Sequence, residues 1–177
     1  MENFPHCRVT RDGPVLAIAI DRPEALNALH PPAHRELARA FDLYAADPEL
    51  RVAVITGAGT RAFCVGSDLK ARAETNRDDH PPTGFAGLTR RFDLLKPVIA
   101  AVNGLALGGG VEIVLAADLA IAAEHVEFGL PEPQDPLMFI EEQPAPANNP
   151  PPAPSLETGE QQVYEDGCDF EASTCYH

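Results

Sequence analysis

Two short runs without polar alternation, Arg51-Val52-Ala53-Val54-Ile55-Thr56 and Val98-Ile99-Ala100-Ala101-Val102, constrain this chain more than any other feature. A strand that offers neither face to water must be covered on both sides, which is the arrangement of parallel sheets flanked by helices. The segments between the runs fit that reading. After Pro31-Pro32, the apolar positions Leu37, Ala40, Phe41 and Tyr44 recur at helical spacing until Asp47-Pro48, so an amphipathic helix precedes the first buried strand. Upstream, Cys7 to Arg11 and Val15 to Ile20 flank Asp12-Gly13-Pro14 and predict a hairpin. Downstream, the pattern predicts a surface loop over 73–83, a helix from Phe85 to Leu95 stopped by Lys96-Pro97, a break at Gly108-Gly109-Gly110, a helix from Val111 to Ala117 and a strand from Leu119 to Ala122. Strands alternating with helices imply an α/β fold with a largely parallel sheet.

At Gln134 the character changes. Residues 134–177 hold nine acids, no Lys or Arg and seven prolines, and helical or alternating periodicity is lost. Such a segment cannot bury enough apolar surface to order itself, so the expected organisation is a folded core over 1–133 and a disordered, acidic, Pro-rich tail over 134–177. Leu137-Met138-Phe139-Ile140 is its one apolar cluster.

Of the formal net charge of −14, −9 belongs to the tail, leaving −5 on the first 133 residues. With no clustered Lys or Arg, a general nucleic-acid binder is excluded. Apolar runs are too short for a membrane span and the N-terminus lacks a cationic region before an apolar stretch, so a soluble cytoplasmic protein is expected. The four cysteines (Cys7, Cys64, Cys168, Cys175) form neither a C-x-x-C pair nor a disulfide framework, and reduced thiols are the expectation.

Three places carry candidate chemistry. Gly108 to Gly110 sit between a strand and a helix, where the absent Cβ lets a ligand approach the backbone and the first helical amides lack partners. Glu112 follows in the first turn of that helix, where a carboxylate is electrostatically favoured. Phe63-Cys64-Val65-Gly66-Ser67-Asp68-Leu69-Lys70 follows the first buried strand, and Phe128-Gly129-Leu130-Pro131-Glu132-Pro133 fixes a glutamate between two prolines. Taken singly, each is as well explained by a tight turn or a solvated acid.

Together, and in this order, they resemble the crotonase family, also called the enoyl-CoA hydratase/isomerase family. The matching segments are Arg22-Pro23-Glu24-Ala25-Leu26-Asn27-Ala28-Leu29, Ala62 to Lys70, Lys96 to Glu112 and Phe128 to Glu132, spread over residues 1–133. The resemblance implies a crotonase-type ββα spiral, truncated before its C-terminal helices, because the family's pattern stops after Glu132-Pro133. It also implies hydration or dehydration of the 2,3 double bond of an acyl-CoA thioester. On that reading the backbone amides of Ser67 and Gly109 form an oxyanion hole, and Glu112 and Glu132 are the catalytic carboxylates, Glu112 as base and Glu132 as acid. Ala25, Leu26, Ser67, Asp68, Leu69, Lys70 and Gly109 would contact the CoA thioester, with Arg22 or Lys70 near its phosphates. CoA enters as part of the substrate; no separate cofactor and no metal are implied. The resemblance further implies a trimer or hexamer, assembled in the family through C-terminal helices whose sequence pattern does not appear in residues 134–177.

Two other readings compete. A non-catalytic remnant would at most bind acyl-CoA or a partner. An NAD-binding domain is suggested by Gly57-Ala58-Gly59-Thr60-Arg61-Ala62 after a strand, with Asp78 or Asp79 roughly 20 residues on. His30 and His34, four apart but separated by Pro31-Pro32, make a weak metal pair and read as surface residues.

Overall fold

A computed structural model of the chain describes residues 4–75 and 80–130. Its hairpin pairs β1 (Cys7–Asp12) with β2 (Val15–Ile20) antiparallel, and every second residue of β2 from Leu16 to Ile20 is buried. β3 (Val52–Gly57), β5 (Val98–Val102) and β7 (Leu119–Ala122) then extend the sheet in the order β1-β2-β3-β5-β7, all parallel after the hairpin. A second sheet, β4 (Ala62–Cys64), β6 (Leu105–Leu107) and β8 (Phe128–Gly129), is parallel throughout. The expected α/β class with a mainly parallel sheet is the observed one.

Helix α1 (Pro31–Ala46) starts with Pro at its first two positions, where no amide is needed, and His30 caps it by accepting the Ala33 N–H on Nδ1 at 3.4 Å. Its inner face buries Leu37, Phe41 and Tyr44 completely, each contributing about 1.5–3 kcal/mol relative to exposure. The Tyr44 hydroxyl donates to the Pro97 carbonyl at 2.7 Å, and the Lys96 ammonium donates to the Tyr44 carbonyl at the helix C-terminus at 2.8 Å. These bonds tie the end of α1 to the start of β5.

The helix expected from Phe85 to Leu95 does not form; only a single 3₁₀ turn, Phe85–Gly87, is present. Gly84, Ala86 and Gly87 all have positive φ, which no right-handed helix tolerates. Tertiary contact imposes this geometry. Gly87 lies so close to Ala38 of α1 that a side chain there would collide with its backbone, and the Ala86 N–H is donated to His34 Nδ1 at 3.0 Å. The start of the predicted 73–83 loop also differs, because helix α2 (Leu69–Thr75) runs into it. Helix α3 (Gly109–Ala116) begins inside the glycine triplet, two residues earlier than expected.

The loop Gly57 to Arg61 opens no helix, which removes the dinucleotide reading: β4 follows it directly. The Asn103 carboxamide engages this loop's backbone instead, accepting from Gly57 N at 3.1 Å and donating to the Gly57 and Gly59 carbonyls at 2.8 Å each. Among the described residues no helix is long and apolar enough to cross a membrane. Leu115, Leu119, Ile121, Phe128 and Leu130 are large apolar residues left more than half exposed around α3, β7 and β8.

Candidate active site

The second sheet brings the glycine triplet and the Ser67 segment together. β4 and β6 are parallel neighbours, so the loops leaving their C-terminal ends, Val65 to Asp68 and Gly108, emerge side by side. Gly66 has φ +88, and a Cβ on it would stand 3.1 Å from the Gly109 nitrogen and 3.1 Å from the Leu107 carbonyl oxygen. The residue preceding Ser67 therefore lies directly against the first amide of α3.

The Ser67 segment is held like a strand. Leu29 N–H donates to the Gly66 carbonyl at 2.8 Å and Asp68 N–H donates to the Leu29 carbonyl at 2.9 Å, forming a parallel bridge between Leu29 and Ser67. Alternate peptide groups of an extended segment face opposite ways, so the Ser67 N–H is turned from Leu29, and it has no hydrogen-bond partner among the described residues. The Gly109 N–H is likewise unpartnered among the described residues, as the opening amides of a helix are. By contrast, Gly108 N–H donates to the Gly129 carbonyl at 2.9 Å and its own carbonyl accepts from Val111 and Glu112 at 2.9 and 3.2 Å.

Glycine is required twice in the triplet's helical part. A Cβ on Gly109 would run into the Phe85 ring, and one on Gly110 into the Cys64 carbonyl. The Cys64 thiol accepts the Gly66 N–H at 3.4 Å, and burial pushes its pKa up to about 12, so it stays a neutral acceptor.

Glu112 stands exposed in the first turn of α3, three residues beyond Gly109, and the Cα–Cβ bonds of a helix tilt toward its N-terminus, the end that carries the Gly109 amide. No ion pair or hydrogen bond engages its carboxylate among the described residues. Glu132, the other predicted carboxylate, lies outside the described residues, as does the whole segment 134–177. The Gly129 to Gly108 bond puts the chain leading toward Glu132 beside the triplet.

Ala25 and Leu26 are drawn to the same region through Arg22. Its guanidinium bonds the Asp68 carboxylate at 3.0 Å and the Ala28 carbonyl, and both partners of the ion pair are largely buried. Arg22 is thus committed inside the fold and is not free for a phosphate; Leu69 and Lys70 are exposed at the start of α2. Burial alone would raise the Asp68 carboxyl, but the Arg22 hydrogen bond, the amides of Ala71 and Lys70 and the Arg22 charge outweigh it and hold it below the usual range.

Two residues that sequence reasoning did not single out organise the site. Asn27, 1% exposed and in left-handed conformation, accepts the Arg22 N–H at 3.1 Å and donates to the Ala58 and Ala62 carbonyls at 3.0 and 2.8 Å, locking the Ala25–Leu26 turn onto β4. Phe85 backs Gly109; its neighbours Gly84 and Gly87 were the available hint that this segment turns. The histidine pair is also occupied otherwise, with His30 capping α1 and His34 buried at 2% exposure on Ala86.

A family profile described as enoyl-CoA hydratase/isomerase matches residues 10–137. A carnitinyl-CoA dehydratase of Salmonella arizonae is 55% identical over 127 residues, 71% of this chain and 48% of that protein. Among solved structures, a carnitinyl-CoA dehydratase from Mycobacterium avium 104 superposes with a TM-score of 0.68 at 48% identity, over 72% of this chain and 51% of its own. An enoyl-CoA hydratase from Mycobacterium tuberculosis H37Rv gives 0.67 at 44% identity, over 72% and 50%. The crotonase-type fold expected from the sequence is the one shared with these structures, and the chain spans about half the length of the relatives it matches.

Proposed function

Because the chain belongs to the enoyl-CoA hydratase/isomerase family, we propose that it contributes to a site adding or removing water across the 2,3 double bond of an acyl-CoA thioester. The observation that supports this reading is the close approach of Gly66, the residue before Ser67, to the Gly109 nitrogen at the start of α3, with the N–H groups of both Ser67 and Gly109 unpartnered among the described residues.

In hydration, water oxygen bonds to Cβ, the Cα=Cβ electrons move toward the thioester, and negative charge collects on its carbonyl oxygen as the enolate forms. Two fixed N–H donors aimed at that oxygen lower the barrier, and removing one such donor typically costs about 100-fold to 1,000-fold in rate. Glu112 takes the proton from the attacking water, and Glu132 delivers one to Cα; dehydration runs the same steps backward. The assignment of Glu132 rests on its sequence match. Ala25, Leu26 and the Ser67 to Lys70 stretch line the approach of CoA, with Lys70, rather than the internally paired Arg22, available to its phosphates.

The names of the relatives make carnitinyl-CoA the first 3-hydroxyacyl-CoA to assay, with crotonyl-CoA as the general 2-enoyl probe. Mass spectrometry of the full chain with each thioester should record loss or gain of one water, strongly reduced in Glu112→Gln. Turnover unchanged by that substitution removes the assignment of Glu112.

The exposed apolar face around Leu115, Leu119 and Ile121 favours a second reading, in which the chain binds acyl-CoA without turning it over. Saturable binding of crotonyl-CoA with no mass change separates this reading from the first.

A further inference from the structure

Gly109 has no side chain through which the protein could fix its orientation, yet its peptide must hold one direction if its N–H is to serve as a donor. The Phe85 ring supplies the restraint from outside, pressed so closely on the Gly109 Cα that any side chain there would collide with it. Phe85 is itself held at both ends of its turn. Its N–H donates to Thr89 Oγ1 at 2.8 Å, and the following residue, Ala86, sits at φ 53, a conformation that costs a non-glycine residue about 1 kcal/mol or more.

The bond that keeps Ala86 there comes from α1. His34 Nδ1 accepts the Ala86 N–H at 3.0 Å, and the imidazole meets the Phe85 ring edge-on with centroids 4.5 Å apart. Deep burial is the main reason His34 titrates only at about 3, helped by the charges of His80, His30 and Arg35, so the ring stays neutral and Nδ1 keeps its lone pair. Contacts therefore run unbroken from His34 through Ala86 and Phe85 to Gly109.

We infer that His34 is a positioning residue: by accepting the Ala86 N–H it holds the Phe85 ring against Gly109 and so aims the Gly109 amide. The inference rests on the reading of that amide as a donor to the thioester carbonyl.

The test uses the full chain and crotonyl-CoA carrying ¹³C at the thioester carbonyl. A carbonyl that accepts hydrogen bonds stretches at lower frequency, so the difference infrared spectrum of bound against free thioester reads donor alignment without requiring turnover. Wild type should lower the frequency. His34→Leu, which cannot accept, and Phe85→Leu, which no longer backs Gly109, should each lose most of that shift while still binding CoA. His34→Asn places an oxygen acceptor near the position of Nδ1 and should restore most of it, a rescue that a merely space-filling histidine would not give. If His34→Leu is unfolded by circular dichroism, Phe85→Leu and His34→Asn decide. Wild-type shifts in both leucine variants, or in Phe85→Leu alone when His34→Leu does not fold, overturn the inference and leave the proposed function standing. Failure of His34→Asn to restore the shift overturns the role of the Ala86 bond. No shift in wild type overturns the donor reading of Gly109 and this inference with it.

Discussion

The carbonyl oxygen of Cys64 lies so close to the Cα of Gly110 that a methyl group there would overlap it. The contact is what seats α3 on β4, and both of its atoms belong to backbone, so nothing can swing aside. Gly110→Ala should therefore destabilise the chain by about 3 kcal/mol, the upper range for overpacking. Gly13→Ala is the control: its φ of +54 is unfavourable, but nothing lies within 4 Å, and it should cost only about 1 kcal/mol. Denaturant titration of the two variants side by side checks the ranking; equal losses would mean that the Cys64 contact does not limit the fold.

Asn27 serves three backbone groups from one buried carboxamide. Asn27→Ala strands the Ala58 and Ala62 carbonyls and the Arg22 N–H, and should cost about 2–4 kcal/mol given the penalty for unsatisfied buried groups. Asn27→Asp should be worse, because a carboxylate would face two carbonyl oxygens with no proton to donate. Thermal melts at neutral pH distinguish the two, and an Asp variant as stable as Ala would contradict the bonding assigned here.

Asp68 is held below its ordinary pKa in the fold, so its ionised form stabilises the native state. That contribution is complete above the ordinary value of 3.8 and is lost as pH falls through the lower folded value. Asp68→Asn should be less stable than wild type at neutral pH, and the gap should narrow on acidification toward pH 2. Unfolding free energies measured from pH 6 downward provide the check.

His34 acts with the opposite charge logic. Its folded pKa, about 3, lies below the ordinary 6.5, so the unfolded chain takes up the proton first as pH drops. Stability should fall between about pH 6.5 and 3, at a slope on the order of 1 kcal/mol per pH unit. His34→Asn, which does not titrate, should show a shallower slope across that window; an unchanged slope would place the titration elsewhere.

The hairpin, α1, β3, β5 and β7 were legible because each has a local pattern, whether alternation, helical spacing or a continuous apolar run. The strands of the second sheet were not: β4 and β6 have three residues each and β8 two, too few to show a period. The missed turn at Phe85 has another cause, since its left-handed Ala86 is held by a bond from His34, 52 residues away in sequence. Within the site, the Ser67 segment and the glycine triplet stood out only through their order along the chain and the family resemblance, since a glycine beside a strand end reads equally well as a tight turn. The pairing of Arg22 with Asp68 was not legible, because the two lie 46 positions apart and only the fold joins them. Phe85 and Asn27 act by touching backbone from outside, a role that residue type does not advertise.

On the proposed function, the amides of Ser67 and Gly109 share one carbonyl oxygen. That sharing is tested most directly by following their backbone ¹H–¹⁵N resonances while the full chain is titrated with crotonyl-CoA and, separately, with the thioether in which a methylene replaces the thioester carbonyl. Both amide protons should move downfield with the thioester and remain in place with the thioether, which should also bind more weakly. Equal movement with both compounds, or movement of neither amide at saturating thioester, would contradict the account.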